Sequence, residues 1–368
     1  MKKSSKDLYA KWVDYKSLDP AKKLAQQAAK NTSKYFKKLG FFEIPESRGE
    51  SAFVWEQGDV YMASVLECLG TKNLVADEMV KITGKTYYDV IASDTVTAAV
   101  NDLAATGAKP LALHAFWALW NDDWLLNKKR TADLVSGWKE ACDIAQVTWG
   151  GGETPSLTKV VAKGAIVLAA SVTGIISSKT RFISDKKLKI DDRVLLLKSN
   201  GLNANGLSLA RDIASKFTKG YATKLPNGQM YGEAILTKTN IYAKLVQDIL
   251  DARINIHYIS NITGHGLRKI MRARGNFTYV IEKVFEPQEI FSFIQEKANL
   301  SDYEIYETLN MGQDYAIFLP AKDIKKAQGI IKKNGFESLD AGYVEKGPRQ
   351  VVIKPKKLLY KGETLDLR

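Results

Sequence analysis

The sequence predicts a two-domain protein of the α/β class, with helices and strands in layers (α+β layering), and three observations carry that expectation. Apolar runs of strand length alternate with helix-period segments through both halves of the chain. Its 368 residues, 40.9 kDa, exceed what one compact core accommodates. In mid-chain, "SSKTRFISDKKLKIDDR" (177–193) turns charged and turn-rich, which places a domain boundary there.

Taken in order, Pro20 to Leu39 reads as a lysine-rich amphipathic helix, followed by an irregular stretch, "GFFEIPESRGES". "DVYMASVLECLGTKN" reads as a strand running out into a glycine turn. A helix from Ser93 or Asp94 follows, and then a strand, "PLALHAFWALW". Thr131 to Ala145 reads as a helix closed by the glycine run "WGGGETPS", and "AIVLAASVTGII" as a buried strand. Beyond the boundary come strand "RVLLLKSNG", helix "ANGLSLARDIASKF" and helix Thr237 to Leu250. "INIHYISNITGHGLRKIMRAR" reads as a strand that breaks into glycines before a basic helix. "FTYVIEKV", "YAIFLP" and "RQVVIKP" supply further strands, and no short-period repeat or low-complexity tract interrupts the pattern.

Composition narrows the function classes. The net charge is +13, and Met1 to Lys38 holds eleven lysines against three acids. That balance suits nucleic acid, acidic lipid or an anionic small substrate. Zinc-finger spacing, an aromatic–basic RNA signature and a helix-turn-helix are all missing, which argues against nucleic acid. The longest apolar run, "GAIVLAASVTGII", is too short and too β-branched for a membrane span. Cys68 and Cys142 form no CxxC, and no apolar stretch follows the basic start, so a cytoplasmic protein is expected.

One helix stands out. At 100° per residue, Asp94 and Asn101 fall within about 20° of each other, opposite Val96, Val100 and Leu103, with Asp102 at the boundary. An N-capping Asp94 on an ordinary amphipathic helix accounts for this as well as a functional carboxylate does. "ITGKT" resembles the tail of a phosphate-binding P-loop, but Met79 stands where that motif needs its first glycine. No GxGxxG follows a strand either, so a dinucleotide fold has no support. Three glycine turns remain: "ECLGTKN" with Gly70, Thr71 and Lys72, "WGGGETP" with Gly151, Gly152, Glu153 and Thr154, and "NITGHGLRK" with Gly264 and Gly266. Such turns let backbone N–H groups converge on an anion. With acidic residues at Glu67, Asp94, Asp102 and Glu153, they suggest oxygen ligands for Mg²⁺ beside phosphate-binding loops, a pattern suited to ATP-dependent phosphoryl transfer. Of the three histidines, His114 lies in an apolar run, His257 ends a β-rich stretch and His265 lies within the last turn. Scattered so, they make no zinc site.

These stretches, in this order, resemble the aminoimidazole ribonucleotide synthetase family, also called phosphoribosylformylglycinamidine cyclo-ligase. "DYKSLDPAKKLA" looks like its opening segment, "GTKN" the end of its Asp-Gly-Val-Gly-Thr-Lys motif, and "DTVTAAVNDLAATGAKPL" its Val-Asn-Asp helix. "GGETP", "GLNANGLSLAR", "IHYISNITGHG" and "TLNMG" match four more of its motifs. The resemblance implies residues 1–45 as a basic N-terminal segment, 46–177 as an ATP-binding and dimerisation domain whose sheet is shared across a dimer, and 186–368 as a layered α/β domain. It implies ATP and Mg²⁺ as cofactors, a small phosphoribosyl substrate and a homodimer. Residue by residue, it makes Glu67, Asp94 and Asp102 Mg²⁺ contacts. Gly70, Thr71, Lys72, Asn101, Gly151, Gly152, Glu153, Thr154 and Gly264 become nucleotide contacts, and Lys16, Asp94, Asn203 and His257 catalytic residues. The implied reaction is attack of a formyl-amide oxygen on the γ-phosphate, then ring closure by an amidine nitrogen.

Three positions and one loop depart from the family pattern. Glu67 replaces an aspartate, Asn203 a histidine and His265 a glycine, while the first glycine-rich loop is reduced to "KLGFFEIPESRGES". Asparagine cannot shuttle a proton near neutral pH, so an imidazole role falls to His257. Two other readings stay open: another ATP-dependent enzyme of the same fold, such as a thiamine-monophosphate kinase-like phosphotransferase, and a catalytically silent relative.

Overall fold

Two mixed sheets and the helices on them account for the fold. A computed structural model of the chain describes residues 15–365, with side chains from residue 20. The first sheet contains β1 (Phe42–Glu43), β2 (Phe53–Gln57), β3 (Val60–Cys68), β4 (Lys109–Leu119), β5 (Thr148–Glu153) and β6 (Ile166–Ile176). Their order is β1-β2-β3-β6-β4-β5, and only β4 and β5 run parallel. The second contains β7 (Arg193–Lys198), β8 (Tyr258–Asn261), β9 (Phe277–Ile281), β10 (Gln313–Leu319), β11 (Ser338–Lys346), β12 (Gln350–Ile353) and β13 (Leu358–Lys361), in the order β13-β12-β9-β11-β7-β10-β8. Every residue of β10 is buried, as is "VLLL" of β7, so these strands carry apolar side chains on both faces rather than in alternation.

The helices are α1 (Tyr15–Asn31), α2 (Lys34–Lys38), α3 (Lys72–Thr83), α4 (Tyr88–Ala104), α5 (Lys128–Ala145), α6 (Leu207–Ser215), α7 (Tyr231–Ile235), α8 (Ala243–Asp251), α9 (Glu289–Ala298), α10 (Asp302–Thr308) and α11 (Ile324–Lys333). The central one is α4, which packs on β3 and β6 with one side and meets α8 of the second half with the other.

Three local expectations change here. Helix α4 starts at Tyr88, six residues earlier than expected, so Asp94 is a buried mid-helix residue and not an N-cap. The "WGGGE" run is strand β5 rather than a helix-closing turn. Glycine is required there because a Cβ on Gly152 would stand 2.1 Å from the Ala115 carbonyl oxygen of β4. Of Thr237 to Leu250, only the part from Ala243 is helical.

Residues 237–242 stay irregular because their backbone groups are taken by side chains from the first half. Lys72 Nζ donates to the Thr237 carbonyl and Asn101 Nδ2 to the Asn240 carbonyl, each at 2.8 Å. In return Thr239 N–H donates to Asp94 Oδ1 and Tyr242 N–H to Asn101 Oδ1, again at 2.8 Å. Lys72 and Asp94 also pair directly, both side chains at 0% exposure. A helix through 237–242 would have had to supply these bonds internally.

Removing one partner of a buried ion pair leaves an uncompensated charge. Lys72→Met is therefore expected to lower stability by about 3–5 kcal/mol in urea titration. A loss below about 1 kcal/mol, the scale of an exposed pair, would contradict the seam's structural role.

Candidate active site

Side chains alternate along β3, so Ala63, Val65 and Glu67 face α4, while Leu66 and Cys68 face away and are exposed. Asp102, in the last turn of α4, accepts a hydrogen bond from Asn261 Nδ2 at 2.7 Å. Glu67 and Asp102 together line a cavity of about 530 Å³, a size that suits a small-molecule site. Residues 47–53 form one wall, and the 3₁₀ turn Gly266–Met271 with Arg272 forms the other.

Arg272 joins the two walls. Its guanidinium donates to the Gly49 carbonyl at 2.8 Å and to Ser51 Oγ at 3.3 Å, and it pairs with Glu50 at 3.5 Å. The Tyr258 hydroxyl donates to the same Glu50 carboxylate at 3.0 Å. The 3₁₀ turn itself requires glycine at its start. Gly266 has φ +52°, and a Cβ there would lie 2.3 Å from the Tyr306 carbonyl oxygen. His265 precedes it at φ +70° and lines the cavity.

Burial and the neighbouring Asp102 push the Glu67 carboxyl up from 4.5 to about 7. Burial, reinforced by Arg272, pulls the Lys269 ammonium down to about 8, against the opposing charges of Asp102 and Glu67. His265 is held down to about 3 by burial and by Arg268 and Lys269, so its imidazole is neutral near pH 7. The cavity thus presents two cations, Lys269 and Arg272, to a carboxylate pair that holds on to a proton. Such a field attracts a polyphosphate anion.

The residues singled out from the sequence are dispersed. Glu67 and Asp102 meet in the cavity, and Gly264 lies in the turn beside it, next to Thr263 and His265. Asp94, Asn101 and Lys72 are engaged in the seam between the two halves, and none of the three lines the cavity. Gly70 and Thr71 form the turn from β3 into α3, at φ +79° for Gly70, outside the cavity lining. Gly151, Gly152 and Glu153 belong to edge strand β5 and Thr154 follows it, three strands away from β3, because parallel pairing with β4 carries them there. His257 is buried, with Nδ1 against Asp192 at 2.8 and 2.9 Å and Nε2 against Asn255 at 3.0 Å. It lies four strand residues before Asn261, roughly 13 Å along the chain. Asn203, at φ +59°, donates to buried Asp314 at 2.6 Å. The side chain of Lys16 lies outside the described residues.

The sequence places Lys269 close behind the last glycine turn without giving it a role, and it marks out neither Arg272 nor Asn261 nor Glu50. The run "LRKIMRAR" carries a charge signal for the first two. Glu50 and Asn261 carry none, since their partners Arg272 and Asp102 lie 222 and 159 positions away in sequence.

Family models for AIR synthase related proteins match the chain twice, the N-terminal domain over residues 49–176 and the C-terminal domain over 189–354. A phosphoribosylformylglycinamidine cyclo-ligase of Methanosarcina barkeri is 31% identical over 284 residues, 77% of this chain and 80% of that one. Its counterpart in Methanocaldococcus jannaschii is 32% identical over 291 residues, 78% and 79%. Among solved structures, a ThiL complexed with AMPPCP and TMP shares the fold at TM-score 0.58 and 16% identity, over 85% of this chain and 90% of that one. A HypE–HypF complex matches at TM-score 0.58 and 17% identity, over 84% and 91%.

Since the folded pKa of Glu67 lies above its ordinary value, its contribution to stability is full below about pH 4.5 and is lost as pH rises through about 7. Glu67→Gln is expected to remove that part of the pH dependence, read as urea midpoints from pH 4.5 to 8. An unchanged profile would show that the carboxyl does not hold its proton.

Proposed function

The chain belongs to the AIR synthase related family, and from that membership and its cationic, carboxylate-floored cavity we infer that it is a phosphoribosylformylglycinamidine cyclo-ligase. The observation that carries this reading is identity of about 30% to cyclo-ligases over four-fifths of their length. The enzyme is ATP-dependent. It takes the formyl oxygen of formylglycinamidine ribonucleotide to the γ-phosphorus of ATP, breaking the bridging P–O bond and releasing ADP. The amidine nitrogen then attacks the former formyl carbon, phosphate leaves with the C–O bond, and loss of a proton completes the aminoimidazole ring.

Glu67 and Asp102 hold the Mg²⁺ that arrives with the nucleotide. The fit rests on donor chemistry: two facing carboxylates that retain a proton form a site from which a divalent cation displaces that proton. Bound there, Mg²⁺ neutralises phosphate charge. Asn261 fixes the Asp102 carboxylate, which with Glu67 would hold the metal, by donating to its Oδ1. Arg272 closes the wall over the cavity by bonding the Gly49 carbonyl and the Ser51 hydroxyl.

The active form is a homodimer. Leu66, Phe116 and Val167 project from the face of the first sheet that α4 does not cover, at 68%, 37% and 39% exposure. A second copy on that face removes this apolar surface from water, and Gly151–Thr154 meet nucleotide only through such an assembly.

Substrate-dependent phosphate release from Mg–ATP, matched by aminoimidazole product, is the direct test. Release that ignores formylglycinamidine ribonucleotide would sink the cyclo-ligase reading. Asp102→Asn is expected to cut turnover by about 100-fold or more, the scale of losing one electrostatic stabiliser. Leu66→Glu is expected to shift the protein from dimer to monomer in sedimentation without lowering monomer stability, because this side chain is already exposed. A dimer that survives the change places the interface elsewhere.

A further inference from the structure

The family resemblance makes Lys72, the lysine of the Gly-Thr-Lys motif, a nucleotide contact. The structure offers it no route to that contact. Its side chain is wholly buried, its ammonium is bound to Asp94 and to the Thr237 carbonyl, and it is absent from the cavity wall. Lys269 is placed differently. It is 92% buried, since its exposure is 8%, and it lines the cavity beside Glu67 and Asp102.

The other cations around this turn are committed. Arg272 is bound to Gly49, Ser51 and Glu50, while Arg268 donates to the Glu307 and Thr364 carbonyls and pairs with the Glu307 carboxylate. Lys269 hydrogen-bonds the Thr263 hydroxyl, and among the described residues no carboxylate lies within 4.0 Å of it. An ammonium carries three donors, and burying it without an anionic partner is strongly unfavourable. A ligand anion in the cavity satisfies the remaining donors and offsets that cost.

We propose that Lys269, and not Lys72, is the cation that meets the terminal phosphoryl group of the bound nucleoside triphosphate. This rests on the reading above that the cavity takes Mg–ATP. In that arrangement Glu67 and Asp102 would hold the metal, and Lys269, beside them in the cavity, would neutralise the transferring group. Lys72 keeps only its place in the seam.

The test compares affinity for a non-hydrolysable ATP analogue with affinity for ADP, both with Mg²⁺, in the full-length protein. Lys269→Met is expected to weaken the analogue by about 10- to 100-fold, the scale of a charge-assisted hydrogen bond, and to leave ADP binding and the thermal midpoint nearly unchanged. Lys72→Met is expected to lower the midpoint and leave the analogue-to-ADP ratio as it was. A second readout uses the unsubstituted protein: the analogue, but not ADP, should protect Lys269 from acetylation read by mass spectrometry. Unchanged discrimination in Lys269→Met, or equal protection by both nucleotides, overturns the proposal while the ATP site stands. Wild-type protein that binds neither nucleotide overturns the ATP site and the proposal together.

Discussion

The rest of the structure depends on the buried seam between α4 and residues 237–242. An ion pair inside a protein is stabilising only when its geometry satisfies the groups on both sides. Here the Lys72 ammonium and the Asp94 carboxylate each also bind a backbone group of the second half, and Asn101 binds two more. Three side chains from two helices of the first half thereby fix an irregular segment of the second. The orientation of one sheet against the other follows from those bonds.

The seam and the cavity share a helix. Asn101 and Asp102 are consecutive on α4, about 100° apart around its axis, so one faces the seam and the other faces Glu67. Any shift of α4 in the seam would move Asp102 relative to β3. Asn261, from β8, closes the relation from the other side by donating to Asp102. The carboxylate pair is consequently held by groups from both halves of the chain, which fixes its position in the cavity.

The cavity wall follows a similar logic. Arg272 holds the segment 49–51 through the Gly49 carbonyl and the Ser51 hydroxyl, while Tyr258 and Arg272 share Glu50. A loop held by side chains from another domain is positioned by tertiary contact rather than by its own backbone preference. The same turn that supplies Arg272 places neutral His265 and cationic Lys269 in the cavity, so one short segment sets most of the site's positive field.

Much of the fold was legible from residue order. Strands such as "RVLLLK" and "AIVLAASVTGII" appear where continuous apolar runs predict them, and the helix expected over Thr131 to Ala145 forms, beginning three residues earlier at Lys128. Family membership was legible too, because its motifs are short, ordered stretches of chain. By itself, then, the sequence determined the alternation of elements, the α/β class and the family. Tertiary structure alone decided what each polar residue is for. Asp94 and Asp102 differ little as letters in one helix, yet one is spent on Lys72 and a backbone N–H while the other faces a cavity. Lys72 and Lys269 divide in the same way. The physical reason is that a buried charge takes its role from the partners that surround it, and those partners lie 22 to more than 150 positions away along the chain.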